Sequence, residues 1–178
     1  TAGMSQYSLK EAGNMQLPRF NRHECLTPRL ETQIDGKLYS NIYDRNCKLQ
    51  DVSPENGSET ILLAEGVLSA IDQQKVEMDG NYRLQYTFLQ DGVRISGECR
   101  AAGQWILPFV SEQTEQVTIE ENFVKIQKNE KIITILVKKG KMKLPYGIER
   151  IYQLVPGMEA LKIAILPENG EIDFCIGF

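Results

Sequence analysis

Histidine is nearly missing from this chain: 178 residues contain one, His23. A His-rich metal site and a conventional Ser-His-Asp triad therefore have little support. His23 stands close to Cys25, which invites a Cys-His nucleophile, but a surface or packed histidine is the plainer reading. Cysteine is sparse as well. Cys25, Cys47, Cys99 and Cys175 are widely spaced and form no CxxC pair, which argues against a zinc site. The even count allows two disulfides in three pairings. Four free thiols is the favoured alternative, because Cys99 shares strand parity with Val93 and Ile95 and should point inward. No GxGxxG, Walker, HExxH, GxSxG or EF-hand motif occurs, so those enzyme classes are excluded in their usual forms. No cofactor is expected, and no residue is assigned a catalytic or metal-binding role.

Long apolar runs are also missing. None approaches the roughly 18 residues that span a bilayer, so no membrane span is expected. No charged-then-apolar signal segment opens the sequence. The net charge of −4 argues mildly against a nucleic-acid or anionic-membrane partner. The opening Thr1-Ala2-Gly3-Met4 is odd for a native start. An expression remnant before Met4, a processed N-terminus and a fragment of a longer protein are the three readings. Residues 1–14 read as a loose arm or such a remnant, with one or two helical turns available between Ser5 and Ala12. Residues 15–178 read as a single domain.

What the chain has in quantity is Asx-Gly, at Asp35-Gly36, Asn56-Gly57, Asp79-Gly80, Asp91-Gly92 and Asn169-Gly170. Asp and Asn tolerate positive φ and Gly adopts it freely, so the pair suits tight hairpin turns. Pro-Glu-Asn-Gly occurs at 54–57 and again at 167–170, and reads as one turn solution used twice.

Period-two alternation fills the spaces between these marks. Tyr82, Leu84, Tyr86 and Phe88 alternate with Arg83, Gln85 and Thr87. After Asp91-Gly92, Val93, Ile95, Gly97 and Cys99 alternate with Arg94, Ser96 and Glu98. One face of this hairpin is predicted buried, with Tyr82, Leu84, Tyr86, Phe88, Val93 and Ile95 inside, and the other wet. Further strands are expected around Asp35-Gly36, near 47–52, at 60–64 and 67–71 on either side of Glu65-Gly66, and in a series from Trp105 to the last residues. About a dozen short strands with little helix predict an all-β protein of two packed, mainly antiparallel sheets, a β-sandwich. A closed barrel is the other arrangement of such strands.

Few side chains suggest chemistry. Glu112, Glu115, Glu120 and Glu121 lie near one another, but separation across the fold decides whether carboxylates act as a catalytic pair. Lys125, Lys128, Lys131, Lys138, Lys139, Lys141 and Lys143 could bind an anion such as a sulfated or uronic sugar. Protection of a strand edge is the plainer reading of these lysines. Trp105 is the only tryptophan. Aromatic faces are platforms for sugar rings, yet a lone Trp in a sandwich is more often core.

The run from Tyr82 to Gly97 resembles the strand–DG–strand hairpins of large β-sandwich domains in carbohydrate-active enzymes. Polysaccharide lyases of the heparinase type, β-galactosidases and mutarotase-like sandwiches share this style, and the similarity extends through Trp105-Ile106-Leu107-Pro108-Phe109 toward the end. The resemblance implies a non-catalytic accessory sandwich that binds or accompanies carbohydrate, partnered by a catalytic domain of the same parent protein, in an extracytoplasmic setting. No catalytic motif of those families is present to carry over. If sugar is bound directly, Trp105 and Tyr146 could stack on it and Arg94 could bond its hydroxyls or a carboxylate. The alternatives are a structural or protein-interaction module without a small ligand, and a standalone sugar-active enzyme with a groove site.

Overall fold

The structure, a computed structural model, describes residues 28–112, 115–128, 130–143, 150–155 and 158–178. Its strands are β1 (Arg29–Ile34), β2 (Lys37–Ser40), β3 (Lys48–Asp51), β4 (Thr60–Val67), β5 (Asn81–Leu89), β6 (Gly92–Glu98) and β7 (Gln104–Glu112), followed by β8 (Gln116–Ile119), β9 (Phe123–Lys128), β10 (Lys131–Lys139), β11 (Lys141–Lys143), β12 (Arg150–Val155), β13 (Met158–Leu166) and β14 (Glu171–Gly177). They form two antiparallel sheets. The eight-stranded sheet has the order β3-β4-β5-β6-β14-β10-β9-β8, and the six-stranded sheet the order β11-β13-β7-β1-β2 with β12 also paired to β13. The predicted sandwich is what forms.

The inward faces explain why. Leu30, Trp105, Leu107, Ile163 and Ile165 from the six-stranded sheet meet Tyr82, Leu84, Ile95, Val124, Ile126, Ile135, Ile172 and Phe174 from the eight-stranded one in a single buried cluster. Trp105 and Phe174 touch across it, with ring centroids 5.7 Å apart and planes tilted by 57°. Burial of side chains this large contributes about 1.5–3 kcal/mol each. Cys99 points inward as its parity requires and is buried, and Cys47, Cys99 and Cys175 are free thiols.

Several local expectations are corrected. The hairpin face predicted inside holds at Tyr82, Leu84 and Ile95, while Tyr86 and Val93 pack partly buried against the core. Phe88 does not follow: it is 45% exposed, next to the turn at the end of β5. That turn falls on Gln90-Asp91, since Leu89 already pairs with Gly92. Gly92 is required for another reason. A Cβ there would stand 2.2 Å from the Ile176 carbonyl oxygen of the neighbouring strand. Glu65-Gly66 does not separate two strands either, because β4 runs unbroken through it.

The two Pro-Glu-Asn-Gly copies fold differently. At 54–57 the Gly57 N–H bonds the Pro54 carbonyl, so Glu55 and Asn56 are the central residues. At 167–170 the hydrogen bonds join Glu168 and Glu171, placing Asn169 (φ 52°) and Gly170 (φ 79°) at the centre. The first copy lies between β3 and β4, which pair with each other, whereas the second leads from β13 in one sheet to β14 in the other. Edge protection accounts for few of the lysines. Lys141 and Lys143 lie on the edge strand β11, whereas Lys125, Lys131, Lys138 and Lys139 lie on β9 and β10, which are paired on both sides.

Candidate functional site

The polar side of the sandwich is the outer face of the eight-stranded sheet. Side chains alternate along each strand, so one register row puts Lys48, Glu65, Arg83, Glu98 and Glu171 side by side on β3, β4, β5, β6 and β14. Arg83 pairs with Glu65 at 3.5 Å, and Lys139 from β10 forms an ion pair with Glu171. The next row contains Leu63, Gln85, Ser96 and Asp173. Glu98 and Glu171 break the alternation of charge, since two carboxylates face each other directly. Like charges so placed repel, so their neighbours Arg83 and Lys139 compensate.

At one end of this sheet the row opens into a polar cleft of about 720 Å³. Its floor is built around Asp44, which follows a single turn of 3-10 helix at Asn41–Tyr43. The Asp44 Oδ2 accepts from the Val67 N–H at 2.9 Å and from the Tyr82 hydroxyl at 3.1 Å, and Oδ1 accepts from the Asn46 N–H at 2.9 Å. Gly66 makes this knot feasible. A Cβ at that position would lie 2.0 Å from Asp44 Oδ2 and 2.5 Å from the Tyr82 hydroxyl. Burial, followed by the neighbouring Cys47 and Asp44, pushes the Tyr82 phenol far above its usual range, so it remains a neutral donor. The cleft rim carries Lys75, Asn81, Asp79 and Arg100, the last two 4.0 Å apart. Behind it lies Cys99, whose thiol is pushed up by burial. The 167–170 turn seals this side: the Cys99 N–H donates to the Gly170 carbonyl at 2.7 Å.

A shallower cleft of about 380 Å³ lies on the sheet face beside it, among Leu63, Gln85, Ser96, Lys139 and Asp173. Among the described residues, no group of three His, Cys, Asp or Glu side chains could hold a metal ion, and no helix is long and apolar enough to cross a membrane.

Of the sugar-contact residues expected from sequence, Trp105 and Arg94 lie on different sheets and different faces. Trp105 is completely buried on the inner face of the six-stranded sheet, and its Nε1 has no hydrogen-bond partner. A ring so placed offers no face for stacking unless the sandwich opens. Tyr146 lies outside the described residues. Arg94 is on the outer face, and its guanidinium is taken up by a two-pronged bond to Asp173, at 2.9 and 2.6 Å. That contact holds the Asp173 carboxyl below the usual carboxylate range and raises the arginine. Sequence parity did place Arg83, Arg94 and Glu98 on the wet face. It missed Asp44, Gly66, Lys48 and Glu171 as members of one site, because their neighbours come from distant strands.

A family model described as the ulvan lyase C-terminal domain matches residues 1–177. The chain belongs to that family. A relative, the broad-specificity ulvan lyase of Formosa agariphila, is 28% identical over 175 residues, covering 94% of this chain and 27% of the relative. The chain thus spans about a quarter of the length of the curated relative it matches. The resemblance to sandwich domains of polysaccharide lyases is borne out, and the domain is the C-terminal type of such a family. Among the described residues the polar cleft and the charged sheet face bring many hydrogen-bonding side chains together.

Proposed function

We propose that this domain is a non-catalytic accessory of a polysaccharide lyase and binds carbohydrate on the polar end of its eight-stranded sheet. The observation that carries the reading is the cleft of about 720 Å³, where carboxylates, amides and cations stand side by side. Sugar hydroxyls both donate and accept, so they are matched by mixed rows of this kind, with Arg83 and Lys48 donating and Glu65 and Glu98 accepting. Ulvan, the polysaccharide in the relative's name, is the first ligand to test. The same reading puts the domain's work outside the cytoplasm, where large polysaccharides are met. Calorimetry of the chain with ulvan is expected to show saturable binding that is weakened about tenfold or more by Arg83→Ala, the loss of about 1.4 kcal/mol. No heat of binding, together with no retardation in ulvan-containing gels, overturns it.

A second reading, a protein-contact module, is favoured by one feature. Phe88, Leu89 and Phe178 are 45%, 41% and 71% exposed at one end of the eight-stranded sheet, where Gly92 pairs with Gly177. An apolar cluster of this kind suits contact with another domain of a parent protein. Sedimentation that finds a concentration-independent monomer, unchanged by Phe88→Ser, removes self-association through this surface.

A further inference from the structure

The end cleft and the face cleft adjoin: both are lined by Arg83, Glu98 and Glu171, and the pair is the candidate groove. Lys48 on β3 lines the end cleft and Lys139 on β10 lines the face cleft. Between them the groove crosses β4, β5, β6 and β14 in sheet order. Neighbouring strands lie about 4.8 Å apart, so the crossing from β3 to β10 measures about 24 Å. That is several times the width of one sugar ring. Its polar groups are spread along this row rather than gathered around one point. A closed pocket for a single ring would instead surround its ligand on most sides.

We infer that the groove takes an extended polysaccharide segment lying across the strands, rather than a chain end or a short sugar. The inference rests on the carbohydrate-binding reading above and adds the form of the ligand. Its energetic consequence is additivity along the chain. A short oligosaccharide engages the end cleft alone, and a longer one reaches Lys139 on β10.

The test is calorimetry of the full 178-residue chain with intact ulvan and with size-fractionated ulvan oligosaccharides. Affinity is expected to rise about tenfold, equivalent to about 1.4 kcal/mol, between the shortest fraction that binds and those long enough to span the groove, and then to level off. Lys139→Met, a change at the far end of the crossing, should weaken the long fractions severalfold and leave the shortest unchanged. Affinity independent of length, in the unaltered chain, overturns the extended groove while carbohydrate binding stands. Failure of intact ulvan to bind at all overturns the binding reading itself, a result of a different kind. The length series needs no variant, so a Lys139→Met chain that folds poorly does not spare the inference.

Discussion

Gly66→Ala is the substitution that asks most of this site. The new Cβ would stand 2.0 Å from Asp44 Oδ2, 2.5 Å from the Tyr82 hydroxyl and 2.7 Å from Tyr82 Cζ. Tyr82 is 3% exposed and its ring is held by the core, so the Asp44 carboxylate must yield first. Moving Oδ2 breaks its bonds from the Val67 N–H and the Tyr82 hydroxyl. Hydrogen bonds to a charged group contribute about 1.5–3 kcal/mol each, and at a part-buried site the lower figure applies, giving a loss of about 3 kcal/mol. For a chain of this size that corresponds to a fall in Tm of roughly 6–12 °C. Urea unfolding followed by circular dichroism measures it, with an unchanged m-value showing that the compared states are the same. The double variant Gly66→Ala/Asp44→Ala should lose less than the sum of the two single variants, because the clash and the lost bonds concern the same carboxylate. A Gly66→Ala chain within about 0.5 kcal/mol of the parent, with additive double-variant energies, would refute the account of Gly66 as the gap that admits Asp44.

Four other outcomes follow from the same geometry. Arg94→Met should cost about 0.5–1 kcal/mol at neutral pH, the range for a well-formed ion pair that remains partly exposed. Asp173 has a depressed folded pKa, so its contribution is present above the unfolded value of about 3.9 and fades as pH falls through the folded one; the stability gap between Arg94→Met and the parent should therefore close in acid, and a gap constant down to about pH 2 would contradict this. Mass-mapped labelling with a thiol reagent should modify the exposed Cys47 quickly and the buried Cys99 only as the chain unfolds, and equal rates would contradict the packing. Trp105 fluorescence should be blue-shifted and resistant to iodide, and Trp105→Ala should cost about 3–5 kcal/mol by leaving a cavity beside Phe174. Incubation of the chain with ulvan should create no new chain ends, and a steady rise in reducing ends would refute the non-catalytic reading.

Much of the sheet was legible from side-chain order because strand periodicity is local. Tyr82 and Leu84 face the core and Arg83 faces water for reasons contained within three consecutive residues. Legibility failed where a second segment intervened. Phe88 has the right parity for burial yet is 45% exposed at the end of its strand. The two Pro-Glu-Asn-Gly copies have the same local preferences, and the strands they connect chose different turns for them. Gly66 looked like a break in a strand, whereas its missing side chain makes room for Asp44, 22 positions earlier.

The order of residues by itself determined that this chain is of the all-β class, which side chains of each strand share a face, and where Asx-Gly allows reversal. Those properties depend on backbone preference and on a two-residue period, and no distant partner is needed to set them. Only the tertiary structure decided that β14 lies between β6 and β10. That placement joins Arg94 to Asp173 across 79 positions, brings Glu171 against Glu98, and sets the two clefts side by side. Strand adjacency of this range is settled by which faces bury together over the whole sandwich, a sum over many contacts that no single stretch of sequence contains.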